Sequence, residues 1–183
     1  KISWQWVGNG MASDVAIGAN GKVWTLAQKS NKYGFPMRRW DGKWVTTKYE
    51  GYFIDVDTHG MAYTVNYRKH LVSWNGKKPT PLQFQGNGIA FAPGGKAWII
   101  SSQAIAGGFK LYKHVDGHFN INDHSWNPVS ASGSKIGVDT FGNAWVVNQA
   151  NVIFRHDGKT VTRLPGQAKD IAVGADGTVW IVD

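Results

Sequence analysis

The stretch Asp170 to Asp183, DIAVGADGTVWIVD, decides how the chain is read, because four other stretches repeat it without gaps. They are Asp14 to Ala27 (DVAIGANGKVWTLA), Phe53 to Asn66 (FIDVDTHGMAYTVN), Gly88 to Ser101 (GIAFAPGGKAWIIS) and Lys135 to Asn148 (KIGVDTFGNAWVVN). Gly21, Gly60, Gly95, Gly142 and Gly177 anchor the copies, at separations of 39, 35, 47 and 35 residues. A fixed unit with insertions between fixed points is the signature of a repeat architecture.

Each copy reads as a hairpin. Val15/Ile17, Ile54/Val56, Ile89/Phe91, Ile136/Val138 and Ile171/Val173 alternate with Ala16, Asp55, Ala90, Gly137 and Ala172, a period of two that demands a strand. The anchoring glycine supplies a positive φ for the turn. The next strand carries Trp24, Tyr63, Trp98, Trp145 or Trp180. A second hairpin follows in four units, turning at Asp41-Gly42, Asn75-Gly76, Asp116-Gly117 and Asp157-Gly158. Four short antiparallel strands per unit make one blade of an all-β propeller, in which neighbours must stack to bury what no blade buries alone. The five repeats predict a single domain over residues 1–183 with five blades. Ile2-Ser3-Trp4-Gln5-Trp6-Val7 is expected to pair with the C-terminal hairpin and close the ring.

Composition agrees. Eleven of the twelve acids are Asp, and Glu50 is the one Glu, which argues against helical surfaces. No cysteine is present, so disulfides, thiolate metal sites and cysteine nucleophiles are excluded. No apolar run approaches the length of a membrane-spanning helix. Ten tryptophans and 17% charged residues exclude a disordered chain. The net charge of +8 points to acidic partners. Its cations are scattered, adjacent at Arg38-Arg39, Arg68-Lys69 and Lys77-Lys78, so no nucleic-acid stripe is drawn.

The unit resembles the tectonin repeat of tectonins, tachylectins and fish-egg lectins. The likeness lies in DIAVGADGTVWIVD, in RRWDGKWVTTKYEG (residues 38–51) and in FRHDGKTVTRLPGQAKD (residues 154–170). Tyr63 in place of Trp, and Lys77-Lys78-Pro79 after the Asn-Gly turn, depart from the pattern. The resemblance implies a propeller lectin with weak sites repeated around a ring. It also implies no enzymatic activity and an extracellular or cell-surface location.

A sugar site needs an aromatic face and a few fixed polar groups. The hairpin-tip residues Trp40, Asp41, Trp44, Trp74, Asn75, Asp116 and Asp157 fit that need, as do Asn66 and Asn148, three positions past the blade aromatics. The bland alternatives are that the blade aromatics are core, that the Asx-Gly pairs are only turns, and that Arg39 stacks on Trp44 across its turn. The expected partners are glycans or acidic surface polymers such as lipopolysaccharide, met by a monomer or small homo-oligomer with avidity from repetition. No cofactor and no metal are expected. The segment His114 to His124 holds a His/Asp cluster but lacks a recognised ligand spacing, so a solvated loop is expected there. The second expectation is a protein-interaction propeller, which the incomplete fifth unit favours. The third, a lyase or lactonase propeller, finds only Asp55 among the small inner residues.

Overall fold

A computed structural model describes residues 11–115, 119 and 125–183. Every regular element among them is a β-strand. The first unit is an antiparallel meander of β1 (Ala12–Ile17), β2 (Val23–Ala27), β3 (Phe35–Trp40) and β4 (Trp44–Gly51). The second and third share one sheet in the order β11-β10-β9-β8-β7-β6-β5. Its strands are β5 (Ile54–Val56), β6 (Ala62–Val65), β7 (His70–Trp74), β8 (Pro79–Phe91), β9 (Ala97–Ile105), β10 (Gly108–His114) and β11 (Trp126–Gly133). The fourth unit is β12 (Lys135–Val138), β13 (Ala144–Val147), β14 (Val152–His156) and β15 (Val161–Gln167). β16 (Asp170–Val173) and β17 (Val179–Val182) form the fifth as a lone hairpin.

The strand-joining turn at the anchoring glycine is the same in all five copies. Gly21, Gly60, Gly95, Gly142 and Gly177 have φ of 76°, 78°, 80°, 82° and 83°. In each, the glycine N–H donates to the carbonyl three residues back, as from Gly21 to Gly18 and from Gly177 to Gly174. Only glycine adopts that φ without strain. β8 is the departure from one sheet per unit. It leaves β7 and joins β9 without a break, and Gly86 sits so close that a Cβ there would lie 2.7 Å from the Ile100 carbonyl.

Stacking between units explains the repeat. The small inner residue and the aromatic of one unit face the two apolar inner residues of the next. Ala16 and Trp24 pack on Ile54 and Val56, and Ala90 and Trp98 pack on Ile136 and Val138. A third cluster joins Tyr63 to Ile89, and a fourth joins Trp145 to Ile171. The inner residue is small because the next strand lies against it: a Cβ on Gly137 would meet Val173 Cγ2 at 3.0 Å. Burial falls off at the two ends. Trp98 is fully buried while Trp180 is 70% exposed, and Val15 and Ile17 are 59% and 65% exposed where their counterparts in later units are covered. The strand expected at Ile2–Val7 lies outside the described residues.

Candidate functional site

In a meander the turns joining first to second and third to fourth strands lie at one end of the sheet, and the turn joining second to third lies at the other. That rule separates the expected sugar-binding residues into two groups. Asn66 and Asn148 sit on second-to-third turns, away from the Asx-Gly tips. Each is used by its own backbone. Asn66 Oδ1 accepts from the N–H groups of Arg68 (2.9 Å) and His70 (3.0 Å), and Asn148 Oδ1 from those of Ala150 and Val152 (both 2.9 Å). They are turn-holding Asx residues and share no site with the tips.

At the tips, Trp74, expected to offer an aromatic face to a sugar, is 7% exposed, lies in the cluster with Trp24 and Ile54, and packs on Tyr49 at 4.3 Å. Asn75 Oδ1 accepts from Lys77 N–H (2.9 Å) and Lys78 N–H (3.1 Å), and Asp157 Oδ1 from Lys159 N–H and Thr160 N–H (both 2.7 Å). Trp40 and Trp44 are half-buried and meet edge to face at 5.0 Å. The register pairs Trp44 with Trp40 and Arg39 with Val45, so the expected Arg39–Trp44 stack is replaced by an Arg39–Asp41 pair at 3.3 Å. Asp116 lies outside the described residues. His114 is 4% exposed between Phe119 and Trp126, where a solvated loop was expected. Among the described residues no group of three or more His, Cys, Asp or Glu side chains is placed to hold a metal.

Two other places carry chemistry. The first is the line of inner strands. Asp14 Oδ2 accepts from Ile54 N–H (3.1 Å) and Asp55 Oδ2 from Phe91 N–H (3.0 Å), each carboxylate satisfying the next unit's inner strand. Burial pushes Asp55 up to about 7 against the pull of the Val56 and Phe91 N–H groups, with Asp14 and Asp57 adding to the rise. Asp14 is raised for the same first reason. Asp139 goes the other way. Burial works to raise it, but donors from the Asn143 side chain and backbone, Trp145 Nε1 and Phe141 N–H outweigh that, and it lies below the ordinary carboxylate value.

The second place is the junction of units three and four on the tip side. A groove of about 610 Å³ opens there, lined by Lys113, His114, Asn127, Pro128, Asp157 and Lys159 among others. Beneath the same junction the buried Trp98 donates from Nε1 to the Gly142 carbonyl at 3.0 Å. Lys113 lies over the Trp98 ring at 5.4 Å and its Nζ donates to the Asp157 carbonyl at 2.8 Å. Lys96 Nζ reaches across the same junction to the Phe141 carbonyl at 2.8 Å. His156 packs on Trp98 at 5.4 Å, and burial holds its imidazole below the usual value, with Lys113 adding to the effect. No single residue in the groove forms a motif.

Comparison with known proteins bears on the fold. No family model and no curated protein matches the chain. Solved structures do match. YCF48 bound to D1 peptide is 17% identical over 93% of this chain and 60% of its own, with a TM-score of 0.54. YCF48 from Cyanidioschyzon merolae is 16% identical over 90% of this chain and 59% of its own, with a TM-score of 0.54. A gluconolactonase from Xanthomonas campestris is 13% identical over 93% of this chain and 68% of its own, with a TM-score of 0.66. These are propellers, and the chain shares their all-β fold; it spans about 60% of the length of the YCF48 chains. The expectation of a chain without enzymatic activity is corrected here, because the same fold serves a gluconolactonase and so gives no ground for excluding catalysis.

Proposed function

We propose that the chain is a protein-interaction propeller, its five units acting as blades about one axis, and that a partner's extended segment docks on the tip side between the third and fourth. The observation that carries this reading is the open groove bounded by Lys113, Asn127, Pro128, Asp157 and Lys159. The groove lies outside the buried apolar packing of Trp98 on Ile136 and Val138, on the tip side, where the first two units instead place the buried indole of Trp74. The solved structure of YCF48 with a D1 peptide is support by analogy of fold. An unbiased array of extended peptides, probed with the folded chain, tests it. Binding of a discrete set with micromolar affinity is the expected outcome; no peptide bound at any density contradicts it.

A second reading, glycan binding at an extracellular or cell surface, rests on the Trp40–Trp44 pair beside the exposed Asp41. An aromatic face next to a carboxylate suits a pyranose ring. A glycan array run beside the peptide array separates the two, since a sugar hit weakened by Trp44→Ala belongs to this tip and not to the groove.

A further inference from the structure

Three units place a cation opposite the blade aromatic in the cross-strand register: Arg39 against Trp24, Lys113 against Trp98 and Arg155 against Trp145. Two of the three have a carboxylate within their own unit. Arg39 has Asp41 at 3.3 Å, and Arg155 has Asp139 at 3.7 Å. Among the described residues Lys113 has none. Its ammonium meets a main-chain carbonyl, and so does that of Lys96 beside it. An ammonium has three donors, and each of these contacts uses one.

One acid, Asp157, stands against these cations and makes no direct ion pair with Lys113. The Asp157 carboxylate is turned into its own turn, accepting from Lys159 and Thr160 N–H groups. Lys159 adds a third ammonium on the exposed rim of the same groove. Burial holds the Lys113 ammonium below its ordinary value, with Lys96 and Lys159 adding to the effect and Asp157 opposing it. His156 adds no competing negative charge. An anion entering the groove would relieve the repulsion among these lysines, and its oxygens would find tethered donors already in place.

We propose that this groove recognises an acidic peptide segment, with Asp or Glu carboxylates seated between Lys113 and Lys159, and with Lys96 adding positive charge from beside the groove. The proposal rests on the partner-docking reading and names the chemistry of the partner.

The test is fluorescence anisotropy with a labelled, Glu-rich octapeptide and its Gln counterpart, against the wild-type chain, Lys159→Glu and Lys29→Glu. Lys159 and Lys29 are both exposed, and Lys29 lies in the first unit, so the two variants change net charge equally at different places. The expected result is that the Glu peptide binds at least about tenfold tighter than the Gln peptide, and that Lys159→Glu loses about tenfold while Lys29→Glu stays near wild type. Affinity for the Glu peptide should fall steeply with salt. Equal binding of the two peptides, or equal weakening by the two variants, overturns the proposal. If the array of extended peptides yields only neutral binders, the acidic specificity fails while the docking reading stands; if it yields none, the docking reading fails first.

Discussion

The junction of the first two units and the junction of the third and fourth solve one packing problem with different chemistry. Trp24 and Trp98 occupy the same place in the repeat, and both are buried. Trp98 donates its indole N–H to the Gly142 carbonyl, whereas the Nε1 atoms of Trp24 and of its neighbour Trp74 are buried without a hydrogen-bond partner. Trp74 stands just before the Asn75-Gly76 turn, the place held by His156 before Asp157-Gly158. The larger indole fills the first junction with apolar surface and leaves donors unsatisfied. At the third and fourth units the smaller imidazole takes that place, and Lys113 and Lys96 cross to main-chain carbonyls on the tip side of an equally buried apolar interior. The two junctions thus share a buried apolar interior and differ in what the tip side presents.

The contrast can be broken most severely at the tryptophans. Trp98→Ala should cost about 3–5 kcal/mol in urea unfolding, because it empties a fully buried site and strips the Gly142 carbonyl of its donor. The paired Phe variants sharpen the point. Trp98→Phe should cost about 1–3 kcal/mol, and Trp24→Phe clearly less, since only the first breaks a hydrogen bond. Equal costs would show that the Nε1 contact is idle.

Exchanging the position that differs comes next. His156→Trp places the residue of the first junction into the other. It should destabilise by about 1–3 kcal/mol through overpacking and abolish binding of the Glu peptide. Retained peptide affinity would show that the groove lies elsewhere.

The inner strands make a comparison in pH. Asp55 is raised to about 7, so the folded chain holds its proton more tightly than the unfolded chain, and stability should decline as pH climbs from about 4 through 7. Asp139 is lowered, so its contribution is present above the ordinary carboxylate value and is lost as pH falls below it. Urea midpoints measured from pH 3 to 8 should show both limbs. Asp55→Asn should flatten the upper limb alone, and Asp139→Asn the lower. The smallest effect is expected at the exposed Arg39–Asp41 pair, where Asp41→Asn should change stability by less than about 1 kcal/mol.

Much of the fold was legible in the sequence, because the period-two alternation, the five glycines and the blade aromatics each encode a local requirement that tertiary packing preserves. The continuity of β8 across two units was not, since nothing in Gly86-Asn87-Gly88 distinguishes a chain break from a strand crossing close to Ile100. The candidate site was read less well. Asn66, Asn75, Asn148 and Asp157 have the residue types of a binding site, but the same short polar side chains are the ones that close turns, and here their oxygens face backbone donors. Trp74 looked like a tip residue because its partner across the junction is distant in sequence. The lysine groove was hidden for the same reason: strand pairing brings Lys113 beside Lys96, and Lys159 joins them only when the fourth unit stacks on the third.

The most direct measurement is amide chemical-shift mapping of the folded chain as the Glu peptide is added. The account predicts shifts concentrated at Lys96, Lys113, Asn127 and Asp157 to Thr160, with the first unit's tip at Trp40 to Trp44 unmoved. Shifts centred on that first tip, or spread evenly over the basic surface, would contradict it.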